Sequence, residues 1–329
     1  MKIFSGRTLI CTLAFFSLTA FSAQAYVLPA EQVLELMVKA QGPAKGLSVA
    51  EQVVVYPPPE IQPEQAVQPE NDAASSGMES REGEAVGEES AEPAPLAPLT
   101  LEGSVSYQFP DKFREEIKYP TGLGILAVSP AGAAKVENNH LISEFEDQYD
   151  LFKEPLLYRN ALLLQERLSL AGVRTDVCSL GYWQGKAAFV IGAQFPDETV
   201  PQLWVEKNTF LPIRFIVTRA ASGGNQDSLE VQYSDWQGLL VQDGKKIRHR
   251  YPGRITFVSN GQIVSQRTMV NYAMNPSFPP ESFDVSRMRR AYEPAPHLMP
   301  QDPVSEEMQG VHNAFEVFKK TIGQDGKNQ

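Results

Sequence analysis

Catalysis or metal binding in this 329-residue sequence would have to be assembled from four histidines, two cysteines and a few neighbouring carboxylates. His140, His249, His297 and His312 are scattered, and no two of them stand at the spacing of a metal-ligand pair. No serine sits in a glycine-flanked nucleophile elbow. Gly122-Leu123-Gly124 is too short for a nucleotide-binding loop and leads into a strand-like run rather than a helix. Glu115-Glu116 could supply an acid and a base, but neighbours on a strand point to opposite faces and do not converge on one substrate atom. The sequence therefore predicts no catalytic residue, no metal ligand and no cofactor, and a protein that is not an enzyme.

One charged run has a pattern. In Lys245-Lys246-Ile247-Arg248-His249-Arg250-Tyr251, strand geometry puts Lys246, Arg248 and Arg250 on one face and Ile247, His249 and Tyr251 on the other. Such a cationic face either keeps the strand soluble or meets anionic headgroups or an acidic partner, contacts that salt would weaken. The acidic partner could be internal. The chain carries a net charge of -11, and the stretch 57–98 holds nine Glu and one Asp against one Arg, together with eight prolines. This stretch cannot bury enough apolar surface to offset its ordering entropy, so it reads as a disordered insertion. Nucleic acid is not an expected partner, given the acidic balance and the compartment derived next.

Lys2 and Arg7 precede an apolar run, Leu9 to Phe21, that ends in Ala23-Gln24-Ala25. This is the pattern of a secretory signal peptide over residues 1–25, cleaved before Tyr26. The run is 13 residues long, whereas a membrane-spanning helix needs about 20. The expected mature chain is periplasmic and not an integral membrane protein. It retains Cys178 as its only cysteine, which excludes an intramolecular disulfide and reads as a small buried hydrophobe.

The elements that must position any site follow from periodicity. Pro29 to Ala40 reads as a helix with Val33, Leu34, Met37 and Val38 on one face and Gly42 at its end. A first strand follows over Leu47 to Tyr56. Beyond the insertion, strands are expected at Leu99 to Phe109, Lys112 to Tyr119, Gly124 to Ser129, Ala134 to Asn138 and Leu141 to Glu144. A helix opened by Pro155 carries Leu157, Ala161, Leu164 and Leu168 in one row and Leu156, Leu163 and Leu170 in a second, a pattern that calls for burial on two sides. Eight more strands are expected: Thr175 to Leu180, Lys186 to Phe195, Gln202 to Glu206, Pro212 to Thr218, Leu229 to Gln237, Lys246 to Tyr251, Arg254 to Ser259 and Gln262 to Asn271. Hairpin turns are expected at Glu206 to Thr209, Gln242 to Lys245 and Ser259 to Gln262. Residues 291–329 read as a linker and an amphipathic helix, with Val304, Met308, Val311, Phe315, Phe318 and Ile322 on one face. The fold class is mainly β (α+β): an antiparallel sheet curved around one or two helices.

Four passages, in order, resemble one family. They are the N-terminal helix leading into a strand; Tyr107 to Glu115, with its aromatic-proline-phenylalanine core; Leu203-Trp204-Val205-Glu206-Lys207-Asn208-Thr209-Phe210-Leu211-Pro212-Ile213-Arg214; and Val270 to Pro276 followed by Phe283-Asp284. Together they resemble the LolA-like, outer-membrane lipoprotein-sorting superfamily over roughly Val27 to Met288, apart from the insertion. The resemblance implies a curved, unclosed antiparallel β-barrel over 26–290 with helices plugging its concave face. It also implies a periplasmic carrier or chaperone for the acyl chains of lipoproteins or lipid, with an inner-membrane transporter and an outer-membrane acceptor as partners. The family's carrier has a basic residue before the proline that matches Pro110, where this chain has Phe109. The insertion and the C-terminal helix are additions as well.

On that frame the expected cavity lining is Phe113, Ile117, Phe189, Ile191, Trp204, Phe215 and Val217, with Leu164 and Leu168 on the plug. Each of these is equally compatible with ordinary core packing. The alternative function is an envelope interaction or regulatory module with the same fold and a filled barrel. A carrier needs an apolar cavity that admits acyl chains; a module needs a prominent surface patch.

Overall fold

The computed structural model describes residues 27–57, 97–220, 226–240 and 249–295. The expected signal peptide, nearly all of the acidic stretch 57–98, the expected hairpin turn at Gln242 to Lys245 and the expected C-terminal helix fall on residues outside those described.

The chain begins with helix α1 (Ala30–Gln41), preceded by Pro29 and ended by Gly42 at φ 82, a left-handed conformation that favours glycine. Strands follow as β1 (Gly46–Val55), β2 (Leu99–Gln108), β3 (Lys112–Tyr119), β4 (Gly122–Ser129), β5 (Gly132–Glu137) and β6 (His140–Ser143). A 3-10 turn (Gln148–Lys153) leads to the short helix α2 (Glu154–Leu157) and then α3 (Ala161–Leu170). The second half supplies β7 (Cys178–Trp183), β8 (Lys186–Ile191), β9 (Gln202–Glu206), β10 (Pro212–Ala220), β11 (Gln226–Leu239), β12 (His249–Ser259) and β13 (Gln262–Met274). Helix α4 (Val285–Ala291) and the two-residue β14 (Glu293–Pro294) complete the described chain.

All fourteen described strands form one sheet, ordered β14-β6-β5-β4-β3-β2-β1-β13-β12-β11-β10-β9-β8-β7. It is antiparallel except where β14 joins β6 in parallel, and it does not close. The architecture is the mainly β, unclosed sheet that the alternating pattern predicts. Its curvature can be read from three rings. Strands β3 and β12 are four spacings apart, about 19 Å in a flat sheet. The Phe152 ring nevertheless packs edge-on against Phe113 of β3 at 5.9 Å and against Phe257 of β12 at 5.6 Å. The sheet must bend toward Phe152, and α1, α2 and α3 lie in its concave side, while α4 packs on the opposite face against Ile125, Ala127, Ala134, Val136 and Leu141.

Three differences from the sequence reading have local causes. The helix opened by Pro155 is two helices, because the chain leaves the α conformation at Tyr158 and Asn160 restarts it, its side chain accepting a hydrogen bond from the Leu163 N–H. Nor is α3 buried on two sides: Leu164 and Leu168 are buried, but Leu162 and Leu170 are 68% and 71% exposed. The strands expected at Lys246 to Tyr251 and Arg254 to Ser259 form one strand through Pro252 and Gly253, paired along its length with β11. Elsewhere local chemistry sets the limits. The β12–β13 turn places Asn260 at φ 49 and Gly261 at φ 81, two positive values that suit the Asn-Gly dipeptide.

Candidate functional site

The inner face is apolar across most of the sheet. Val49 of β1, Val105 and Tyr107 of β2, Phe113 of β3, Phe189 and Ile191 of β8, Leu203 and Val205 of β9, and Phe215 and Val217 of β10 share one buried cluster. The cover presses into it Val33, Leu34 and Met37 from α1, Phe152 from the 3-10 turn, Leu156 and Leu157 from α2, and Leu164 and Leu168 from α3. Few polar bonds hold the cover. The Tyr233 hydroxyl of β11 donates to the Phe152 carbonyl at 2.8 Å, and within the cover Gln41 Nε2 of α1 donates to the Pro155 carbonyl of α2 at 2.7 Å. Lys135 of β5 pairs with Asp147 and, at 2.8 Å, with Asp150. Within the cover, Lys153 contacts Glu146 and Glu154 while Arg167 binds the same two carboxylates.

A chain of polar groups crosses the centre of this face. Arg267 of β13 binds Glu115 of β3 and, at 3.5 Å, Glu51 of β1. The Tyr251 hydroxyl donates to Glu51 at 3.1 Å and lies 3.1 Å from the Tyr107 hydroxyl. Arg267 also lies over the Phe152 ring at 4.5 Å. Burial raises Glu51 above the ordinary carboxylate value, with Arg267 opposing the shift and the neighbouring Glu115 adding to it. Glu115 and Glu116 do point to opposite faces: Glu116 binds Arg114 outside. Cys178 is half-buried against the main cluster, and burial pushes its thiol up to about 11, which keeps it protonated.

Eight of the nine residues expected to line a cavity are placed as follows. Phe113, Leu164, Leu168, Phe189, Ile191, Phe215 and Val217 lie in the inner cluster. Ile117, four residues beyond Phe113 on β3, is half-buried and outside that cluster. Trp204 is a correction, because it occupies the opposite face. There it packs with Ala188, Val190, Ala193 and Ile213, donates to Gln202 Oε1 at 3.0 Å and lies 5.4 Å from the Arg214 guanidinium. Strand parity is the reason: Leu203 and Val205 point inward, so Trp204 between them cannot. Gly181 makes room for it. A Cβ there would stand 2.7 Å from the indole and 2.9 Å from Val190. Gly181→Val is expected to destabilise the protein by about 1–3 kcal/mol, read as a lower urea midpoint with unchanged slope.

Of the cationic strip, Lys246 and Arg248 lie outside the described residues. Arg250 is half-buried, while His249 and Tyr251 are buried on the other side of the strand. His249, the first residue of β12, belongs to a small group that sequence reading did not find. Its ring is 5.7 Å from Phe109, which stacks on Tyr107 at 5.8 Å and has the Arg159 guanidinium over its ring at 4.6 Å. Burial and the Arg159 charge push His249 down to about 3, only partly opposed by the Gly42 backbone. A histidine kept neutral in the fold stabilises it fully above its unfolded value near 6.5 and loses that contribution as pH falls toward 3. At pH 5 the loss is about 2 kcal/mol. Chemical denaturation at pH 7 and pH 5 should show it, and His249→Phe should remove that part of the difference.

Among the described residues no group of His, Cys, Asp and Glu is arranged to hold a metal ion. No described helix is long and apolar enough to cross a membrane.

No family model matches the sequence, and no curated protein matches it. The structure is similar to that of a LolA superfamily protein from Nitrosomonas europaea, at 12% identity and a TM-score of 0.43, covering 78% of this chain and 97% of that one. It is also similar to a structure described as an outer membrane lipoprotein-sorting protein domain from Vibrio parahaemolyticus (8% identity, TM-score 0.42, 79% and 100% covered). A DUF1329 family protein from Desulfovibrio piger gives 10% identity and a TM-score of 0.39, with 79% and 99% covered. At these identities no residue role passes from those proteins to this chain.

Proposed function

We propose that this chain is a non-catalytic carrier of the bacterial-type cell envelope, exported by its first 25 residues, that shelters the acyl chains of a lipoprotein or lipid between the curved sheet and its helical cover. The observation that carries this reading is the division of the inner cluster into two layers. One layer is a continuous apolar sheet face; the other is a set of short helical pieces laid on it and tethered by the Tyr233 hydroxyl and the Lys135 ammonium. Lifting the cover would expose a trough of Phe and aliphatic side chains, and each methylene placed there gains about 0.8 kcal/mol over water. Residues 26–290 are read as one carrier domain, with an inner-membrane donor and an outer-membrane acceptor as its partners.

A second reading is favoured by the aromatic packing. Tyr107, Phe113, Phe152 and Phe257 touch ring to ring, which is how a filled core looks, and a filled core suits an interaction module.

Native mass spectrometry with lipid extraction of the mature protein from the periplasm separates the two. The carrier co-purifies with acyl-bearing molecules and, once delipidated, takes up 11-(dansylamino)undecanoate saturably. Phe189→Ala and Phe215→Ala are expected to change that affinity several-fold, while Trp204→Phe on the outer face leaves it unchanged. A clean apo mass together with no probe uptake selects the interaction module.

A further inference from the structure

Among the described residues the buried cations are matched by carboxylates, with one exception. Lys135 meets Asp147 and Asp150; Lys153 meets Glu146 and Glu154; Arg214 meets Glu198 and Glu230; Arg267 meets Glu51 and Glu115. Arg159, in the link between α2 and α3, has no such partner. Its Nε, Nη1 and Nη2 are all buried and none has a hydrogen-bond acceptor among the described residues. A guanidinium carries five N–H donors and keeps its charge, so leaving all of them unmet out of water is among the least favourable arrangements a fold can adopt. Burial pulls Arg159 down to about 9, and the groups that oppose this are the hydroxyls of Tyr107 and Tyr251 rather than a carboxylate.

The surroundings suit a ligand. The guanidinium lies 4.6 Å from the centre of the Phe109 ring, and His249, on the same ring at 5.7 Å, is buried with the Gly42 backbone near its ring. The two side chains thus lie side by side among the aromatic rings of Tyr107, Phe109 and Tyr251, with the guanidinium donors unused. Tyr107 and Tyr251 belong to the inner apolar cluster and Phe109 packs against it, so the Arg159 group borders the face beneath the helices.

We propose that Arg159, with His249 beside it, is the head-group site for an anionic amphiphile, the guanidinium receiving the oxygens of a carboxylate or phosphate while the acyl tail runs along the helix-covered face. The planar fork of arginine fits two oxygens of either oxoacid. The placing of the tail rests on the carrier reading; the anion site does not.

The test is titration calorimetry of the delipidated mature chain with dodecanoate, dodecyl phosphate and dodecan-1-ol below their micellar concentrations, and with inorganic phosphate alone. The expected result is at least a tenfold preference for the two anions over the alcohol. Arg159→Met abolishes that preference without weakening the alcohol, and Arg159→Lys keeps part of it. Anion binding should also raise the pKa of His249, followed by NMR, because the ligand offsets the Arg159 charge. Equal affinity for the three amphiphiles, a preference that survives in Arg159→Met, or no anion binding at all overturns the proposal. Arg159-dependent binding of phosphate alone, with no gain from the dodecyl tail and none for the alcohol, upholds the anion site and removes the carrier reading. Should Arg159→Met not fold, the wild-type preference and its weakening in Arg159→Lys decide.

Discussion

Arg267→Met is expected to lower the folding free energy by about 3–5 kcal/mol, because it leaves two buried carboxylates without their shared counter-ion. In the wild type Arg267 contacts both Glu51 and Glu115, all three groups being nearly or fully withdrawn from water. Burial already raises Glu51, and Arg267 is the main influence holding it down. Without that charge Glu51 is pushed further up. The sign of the pH dependence follows. A carboxyl whose folded pKa is raised stabilises the fold below its unfolded value and loses that contribution as pH rises through the folded one. The deficit of Arg267→Met should therefore be larger at pH 7.5 than at pH 5 when urea midpoints are compared. Adding Glu51→Gln and Glu115→Gln should restore much of the loss, since uncharged amides do not repel and are cheaper to bury. A deficit equal at both pH values would mean that the arginine acts by packing on Phe152 and Phe257 rather than by charge.

The second large effect is expected at Lys153→Met, again about 3–5 kcal/mol, but confined to the cover. The Lys153 ammonium is fully buried; it contacts Glu146, meets Glu154 at 2.9 Å and donates to the Asp150 carbonyl at 3.1 Å. Its loss leaves the fully buried Glu154 to Arg167 alone. Because these residues tie the 3-10 turn to α2 and α3, the loss should appear as faster amide exchange across residues 148–170 while the sheet stays protected. If the cover is the gate of a carrier, the same variant takes up 11-(dansylamino)undecanoate faster than the wild type. Protection lost evenly over cover and sheet would show that the two layers open only together, as in a filled module.

Much of the architecture is local information and was legible in the sequence. The strands Lys112–Tyr119 and Gln202–Glu206 have the limits that alternation and turn residues predict. The opposed directions of Glu115 and Glu116, and the inward turn of His249 and Tyr251, follow from the period of two along a strand. Trp204 shows where that rule stops. Leu203, Trp204 and Val205 are all apolar, so alternation has no polar side to mark, and only the pairing of Trp204 with Val190 and its neighbours reveals which face is outer.

What the sequence by itself determined, then, is the mainly β class, the near-complete run of strands and turns, and the docking face of α1, all of which depend on residues within a few positions of one another. Tertiary structure alone decided the bend of the sheet, the division of the Pro155 helix, the meeting of Glu51 with Arg267 across 216 positions, and the isolation of Arg159. The reason is physical: hydrophobic periodicity is written along the chain, whereas the partner of a buried charge, or the lack of one, depends on which distant strands and loops the fold brings together.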